Sequence, residues 1–456
     1  MKQVRVDVNE LTVGMFVSKL DRPWTQTPFP LQGFYVRDLD EIKSLKVHCN
    51  YVYIDVVKGP PPLTVNKLKT IQKPSGGVNV RRVTRSPKST RVTSNDVAPL
   101  KVKHNTYQAS LPMKKEIGKA SKLHEQINSA VSSVLEQVQL DPTAIPVKET
   151  KRVASEMVDS VLRSPDAFSW LSRVRDKDEH TYSHAVRSAI WAILFGRHIG
   201  LPKPELDVLA IGVLLKDIGK TKLPTDLLEK ENRTAADQQV YEKFVEYGVD
   251  ILRQLPEIKP RVTSVIKTHC ERVNGSGFPS HLRGDKIPLL GKIAGIVTFY
   301  DETTNPRGQS PLSPSKAVAM LYEYRGVEFQ EELVVEFIRA IGLYPTGTLV
   351  ELSTGELAVV MEQNFSRRLK PKVIVVIDAV GNELNKPYVL DLAKDEAEKR
   401  AKIDSGKLTL ADADFLEVVQ DLQPGKHNID LDDIRKRFIE KSSGGVLSLI
   451  NKFVGK

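Results

Sequence analysis

Cysteine is nearly absent from this chain of 456 residues, which carries only Cys49 and Cys270. Two thiols exclude a disulfide framework and fit a reducing compartment, so a cytoplasmic location is expected. Long apolar runs are also missing. The longest strongly apolar stretch, about 208–215, is far short of the roughly 18 residues a bilayer span needs, so no integral membrane segment is expected. The N-terminus, Met1-Lys-Gln-Val-Arg-Val, lacks the apolar core of a secretion signal. Acidic residues are scarce in one place: residues 58–122 hold fifteen Lys/Arg against Asp96 and Glu116 alone. That segment is +13 in a chain whose total is +10, so the remainder is slightly acidic.

The basic stretch is punctuated by Pro, Gly, Ser and Thr without periodicity, and residues 58–111 read as a disordered basic linker. Of the aromatics that a single-strand binder interleaves with its cations, only Tyr107 is present, so nucleic acid is not the expected partner. If the linker did bind nucleic acid, binding would fall steeply with salt.

On either side of the linker the patterning is regular. Residues 1–57 read as a small α/β domain, with strands at 13–20, 29–36 and 51–57 and a helix at 39–47. His48 and Cys49 there have no partners at ligand spacing. A helix comes next over 112–140. Its seam of Ile117, Ala120, His124, Ile127, Val131, Val134 and Val138 steps by threes and fours, which fits either a coiled-coil homodimer through 117–138 or an amphipathic helix packed on the next domain. Residues 150–345 read as helical. The stretch 184–201 is apolar on most faces, and the next helix begins near Pro204 and ends near Asp217, with Gly219 placed for a left-handed cap. Residues 346–395 read as a small antiparallel β unit, with strands at 349–352, 357–362, 373–377 and 388–392. Residues 396–456 form a mixed tail whose end, from Val446 to Val454, has the apolar face of a terminal helix. The expected fold class is mainly α, with small α/β and β units before and after the helical domain.

Five of the nine histidines fall between 180 and 281. His180 and His184, four apart, share one helical face. Lys216-Asp217-Ile-Gly-Lys220 is the next motif, then His269-Cys270-Glu-Arg272-Val-Asn-Gly275-Ser-Gly277-Phe278-Pro279, then Thr298-Phe-Tyr-Asp301. Imidazole, carboxylate and thiolate are ligands for first-row metals, so this set points to metal chemistry; any single histidine could equally be a hydrogen-bonded core residue.

These motifs, with Thr181-Tyr-Ser-His184 and Leu282-Arg-Gly-Asp-Lys-Ile-Pro288, resemble the HD-GYP branch of the HD-domain phosphohydrolases. Residues 1–57 resemble the small domain preceding HD-GYP in one branch of that family. Gly342-Leu-Tyr-Pro345 and the β unit resemble the family's segment on the C-terminal side of HD-GYP. The resemblance implies hydrolysis of cyclic di-GMP at a centre of two or three metals, usually iron or manganese. It also implies a degenerate site. His184, Asp217 and His269 stand at three of seven common ligand positions, whereas Lys216, Phe244, Cys270 and Thr298 replace the other four and His180 replaces the glutamate of three-metal members. Lys216 is a cation where a ligand should be, and it is expected to replace metal charge by pairing with Asp217 or a neighbouring acid. Among substrate positions, Lys220 and Arg272 are kept, and Gly275, Gly277, Phe278 and Pro279 form the family turn with Phe in place of Tyr. Arg307 is retained within a segment that then departs from the family form at Gly308. Lys220 would serve catalysis if the protein is active.

Two functions are compatible with these residues. The first is a non-catalytic or weakly active regulator with no cofactor, which binds cyclic di-GMP or a signalling protein of the diguanylate-cyclase type. The second is an enzyme with a rebuilt site, in which His180, His184, Asp217, His269 and Cys270 hold a single zinc.

Overall fold

The computed structural model describes residues 3–21, 34–36, 39–56, 97–141, 145–172, 180–230, 232–307, 310–364, 367, 369–409 and 412–423. Contacts divide the chain into two compact units, Met1–Lys88 with Asn364–Leu369 and Ser89–Gln363 with Lys370–Lys456. The fold is mainly α, with a small sheet near each end.

In the first unit, β1 (Gln3–Asp7), β2 (Phe16–Leu20), β3 (Phe34–Tyr35), α1 (Leu39–His48) and β4 (Tyr51–Asp55) build an antiparallel sheet of order β1-β4-β2-β3. Side chains alternate across a strand, so Val6, Val52 and Ile54 face inward, where Ile42 and Leu45 of α1 meet them. β1 has little signal in the sequence because its two valines sit among Gln, Arg and Asp. The strand expected from Val13 starts instead at Phe16: Gly14 turns at φ +97°, and Val13 is exposed.

The second unit opens with a correction. Residues 97–111, expected as the end of a free linker, lie along the helices. The Lys103 amide donates to the Ile199 carbonyl (3.1 Å), Tyr107 Oη donates to the Leu201 carbonyl (2.8 Å), and the Ser110 and Leu111 amides donate to the Arg163 carbonyl. The rest of the expected linker, 58–96, is outside the described residues.

Next comes α2 (Met113–Leu140), entered at Pro112. Ile117, Ala120, Ile127, Val131, Val134 and Val138 of its seam are buried within this chain, against α3 (Val147–Arg163) and α4 (Pro165–Ser172). The expected homodimer through 117–138 is therefore corrected: intramolecular packing takes that face, and Glu116 is held there by Arg163 and Ser160.

α5 (His180–His198) is the central helix. It packs on α6 (Lys203–Leu214), and later on α11 (Leu289–Thr304) and α13 (Glu331–Ile341). Trp191 meets Tyr300 edge-on at 5.6 Å, and Phe195 meets Phe337 at 5.4 Å. After α6 a 3-10 turn (Ile218–Lys222) leads to α7 (Thr225–Glu229), α8 (Ala235–Glu242), α9 (Phe244–Arg253) and α10 (Pro260–Thr268); α12 (Pro314–Glu323) lies between α11 and α13. Gly219 is not the left-handed cap expected of it. It sits inside the 3-10 turn, where a Cβ would fall 1.9 Å from the Phe244 carbonyl oxygen and 2.4 Å from the Gly248 nitrogen. Close backbone approach, rather than φ, requires glycine there.

The β unit is β5 (Leu349–Leu352), β6 (Leu357–Glu362), β7 (Lys372–Ile377) and β8 (Glu383–Asp391), then α14 (Leu392–Asp404) and a returning β9 (Val418–Asp421). The antiparallel order is β8-β7-β6-β5-β9, so the unit extends past the expected boundary at 395. Asp166 of α4 ties it to the helices, accepting from Thr346 Oγ1 (2.8 Å) and the Gln363 amide (3.3 Å). The apolar face expected at 446–454 lies outside the described residues. Among those described, no helix is long and apolar enough to cross a membrane.

Candidate functional site

Helix packing brings the motif residues together where α5, the end of α6, α9, α10 and α11 meet. Lys216 and Asp217 lie just past the end of α6, before the 3-10 turn, at 0% and 3% exposure, so both charges are out of water. A buried charge needs a partner. Lys216 Nζ donates to Asp217 Oδ2, and Lys220 Nζ lies 2.7 Å from Oδ1, so each carboxylate oxygen has a lysine. Burial would raise the Asp217 pKa, but Lys216 and Lys220 hold it well below the usual carboxylate range. Lys220 is pushed well above its ordinary value, because attraction to Asp217 outweighs its own desolvation. Lys220 also lies over the rings of Phe244 (5.0 Å) and Tyr241 (5.7 Å).

His184 enters from α5. Its Nδ1 is 2.6 Å from Asp301 Oδ2, and its Nε2 is 3.8 Å from both Asp217 Oδ2 and Glu302 Oε1. Asp301 is fully buried; desolvation would raise its pKa, but Arg187 and His184 hold it well below the usual range. Sequence reasoning misses this His184–Asp301–Arg187 set. Asp301 is visible only as the end of a motif, and Arg187 carries no signal beyond lying almost one helical turn past His184.

His269 and Cys270 come directly after α10. The His269 Nδ1 is 2.7 Å from the Ile266 carbonyl, and its Nε2 is 3.3 Å from Cys270 Sγ. Burial, then the charge of Lys216, push the His269 pKa down to about 3, so the ring is neutral at ordinary pH. Burial pushes the Cys270 thiol up to about 12, so it is protonated in the metal-free chain. Phe244 lies against His269 (5.9 Å) and Phe278 (6.1 Å), within an apolar cluster with Leu223, Leu227, Val245 and Cys270. The Thr298 hydroxyl is buried with no hydrogen-bond partner among the described residues.

The remaining expected residues are placed as follows. Gly277 packs its backbone onto Cys270 and Arg272, where a Cβ would come within 2.4 Å, and Gly275 turns at φ +79°. Glu271 braces the loop, accepting from the Ser280 and Leu282 amides, and the Phe278–Pro279 bond within it is cis. Arg272 donates to the carbonyls of His269 and Glu271 and stacks on Phe329 at 4.9 Å. Arg307 is exposed and faces Glu229 at 3.7 Å. His180 begins α5, but its side chain is outside the described residues.

This donor set does not fit a two-metal centre. Around the site stand two ammonium groups, the Asp217 carboxylate and the half-exposed Glu302, since the charge of Asp301 is matched by Arg187. A metal pair would add about four positive charges where carboxylates should cancel them, and each unit-charge pair at 4 Å costs about 4 kcal/mol at an effective dielectric near 20. Phe244 has no lone pair to offer. The single-zinc alternative meets the same Lys216, bonded to Asp217.

Comparison with known proteins agrees with this architecture. A model described as "HD domain" matches residues 172–333, and "KOW domain associated with HD domain" matches 349–398. A "Domain of unknown function (DUF3391)" matches 3–149. The cyclic di-GMP phosphodiesterase PA4108 of Pseudomonas aeruginosa is 28% identical over 396 residues, covering 86% of this chain and 89% of that protein. The 3'3'-cGAMP-specific phosphodiesterase 2 of Vibrio cholerae is 29% identical over 173 residues, 37% of this chain and 33% of that protein. Among solved structures, an HD-GYP-type protein of Bdellovibrio bacteriovorus, Bd1817, is 15% identical with a TM-score of 0.43, covering 74% of this chain and 98% of that one. The helical unit is an HD domain. Along most of its length the chain is similar to a cyclic di-GMP phosphodiesterase, and its three matched segments follow in the order DUF3391, HD domain and HD-associated KOW domain.

Proposed function

We propose that this chain is a non-catalytic HD-GYP protein that regulates bacterial cyclic di-GMP signalling by binding. One observation carries the reading: Lys216, fully buried, is bonded to Asp217 at the position where a metal-ligating histidine belongs. The ammonium does by a hydrogen bond what the cation would do by coordination, and keeps the aspartate ionised. Phe244 closes the neighbouring ligand position with apolar packing. Without a metal-activated water, the phosphodiester has no nucleophile at this site.

A cyclic dinucleotide or a signalling protein of the diguanylate-cyclase type is the partner this reading takes from the family. Lys220 and Arg272 are the cations inherited for the first, though both are engaged within the chain. Metal analysis and calorimetric titration with cyclic di-GMP on one preparation separate the cases. The expected result is no metal at the HD position and no hydrolysis. Heat of nucleotide binding would mark a receptor, and its absence a protein-interaction module. Manganese- or iron-dependent turnover would defeat the proposal.

A further inference from the structure

A second group of potential ligands lies at the other end of α5, among residues that no HD motif includes. His198 ends that helix, Glu336 lies on α13, and His104 comes from the segment 97–111. Their ligand atoms all fall within 4.8 Å of one another. The Nε2 atoms of His104 and His198 converge on the same oxygen, Glu336 Oε2, at 2.8 and 2.9 Å. Glu336 is fully buried, and Arg339 holds its other oxygen, Oε1, at 3.2 Å. That contact orients the carboxylate so that Oε2 faces the imidazoles, as a residue behind a metal ligand does.

His104 is placed by bonds on both sides of it. Before it, Lys103 is bonded to the Ile199 carbonyl, and the Lys103 carbonyl passes so close to Gly200 that a Cβ there would meet it at 2.3 Å. After it, Asn105 turns at φ +59°, a conformation asparagine tolerates better than most residues, and Tyr107 is tied to Leu201 and Arg197. The imidazole is thus delivered to the Glu336 oxygen by backbone that is already anchored.

We propose that His104, His198 and Glu336 form a zinc site that fastens the segment 97–111 to α5 and α13. Two imidazoles and a carboxylate are a zinc ligand set, with ligand distances of about 2.0–2.2 Å and a fourth position left for water. His104 is 42% exposed in its side chain, so the site is open to solvent for entry and for that water. Coordination would replace the two hydrogen bonds to Oε2, with the Nε2 lone pairs and Oε2 turned on one ion and no change in the elements that carry them. The site shares no residue with the one around Lys216, so the two stand or fall separately.

The test uses the full chain, stripped by a chelator and titrated calorimetrically with zinc, as wild type and as His104→Ala, His198→Ala and His184→Ala. His104 is half-exposed, so its removal should leave the fold intact. The proposal expects about one zinc per chain in the wild type and in His184→Ala, with affinity at least tenfold weaker in His104→Ala and His198→Ala. Zinc should also slow proteolysis within 97–111 in the wild type and leave the rate in His104→Ala unchanged. Absence of zinc uptake by the wild type would reduce the group to a hydrogen-bond network and overturn the proposal. Uptake that survives His104→Ala but is lost in His184→Ala would overturn it too, by placing the ion at the HD position.

Discussion

The two ends of α5 each present a histidine to a buried carboxylate, about 21 Å apart at 1.5 Å per residue, and the two sites have opposite character. At the first end, His184 stands among residues ordered by the HD motifs, yet the carboxylate at the ligand position is saturated by Lys216 and Lys220. At the second, His198 belongs to no motif, yet it meets a second imidazole on one oxygen of Glu336. A metal-binding pedigree thus does not guarantee a place for a metal, because one cation inserted from the protein uses up the same negative charge. Conversely, donors brought from three distant points in sequence can assemble where sequence spacing gives no hint.

The largest expected effect tests whether Lys216 is the structural substitute for a metal. Lys216→Ala leaves Asp217 buried with one lysine lost, which should cost about 3–5 kcal/mol in urea denaturation. Asp217 keeps Lys220 in that variant, so coupling is read from a cycle: Asp217→Asn should cost less in the Lys216→Ala background than in the wild type, and equal costs in the two backgrounds would mean the pair is not coupled. Gly219→Ala should cost about 1–3 kcal/mol, because the contact it makes is with the backbone of α9 and cannot be relieved by a side-chain rotation.

The pH dependence sharpens the comparison further. His269 is held near pKa 3 in the folded chain against about 6.5 unfolded, so between those values the unfolded state binds the extra proton. Its contribution is complete above about pH 6.5 and is lost as pH falls, at about 1.4 kcal/mol per pH unit until the folded pKa is reached. Asp166, pushed up to about 6 by burial, works in the opposite direction between about pH 4 and 6. The quantity to measure is therefore the difference in stability between wild type and His269→Gln, which should shrink as pH falls from 6.5 to 4.5. The smallest effect is at the rim: Arg307→Ala should change stability by less than about 0.5 kcal/mol, since its ion pair with Glu229 is exposed.

Much of the helical framework is legible in the sequence. Pro112 and Pro204 mark helix starts, and the seam of α2 is correctly placed, although a repeat of threes and fours cannot say whether its partner is another chain or α3 and α4. The pairing of Lys216 with Asp217 is also legible, because a lysine in an apolar helix end has few other ways to be tolerated. Three things are not. The segment 97–111 has no periodicity because it is bonded through its backbone to helix ends rather than by an apolar face. β9 comes after a helix whose return to the sheet has no local signal. Asp301 and Glu336 gain their meaning only from histidines more than a hundred residues away in sequence.

The most direct measurement is hydrolysis of cyclic di-GMP by the purified full chain supplied with manganese or ferrous iron, beside the variant Lys216→His, Phe244→His, Cys270→His, Thr298→Asp. The account predicts no linear dinucleotide product from the wild type with either metal, and metal uptake at the HD position only in the rebuilt variant. Metal-dependent turnover by the wild type, abolished by His184→Ala, would contradict it.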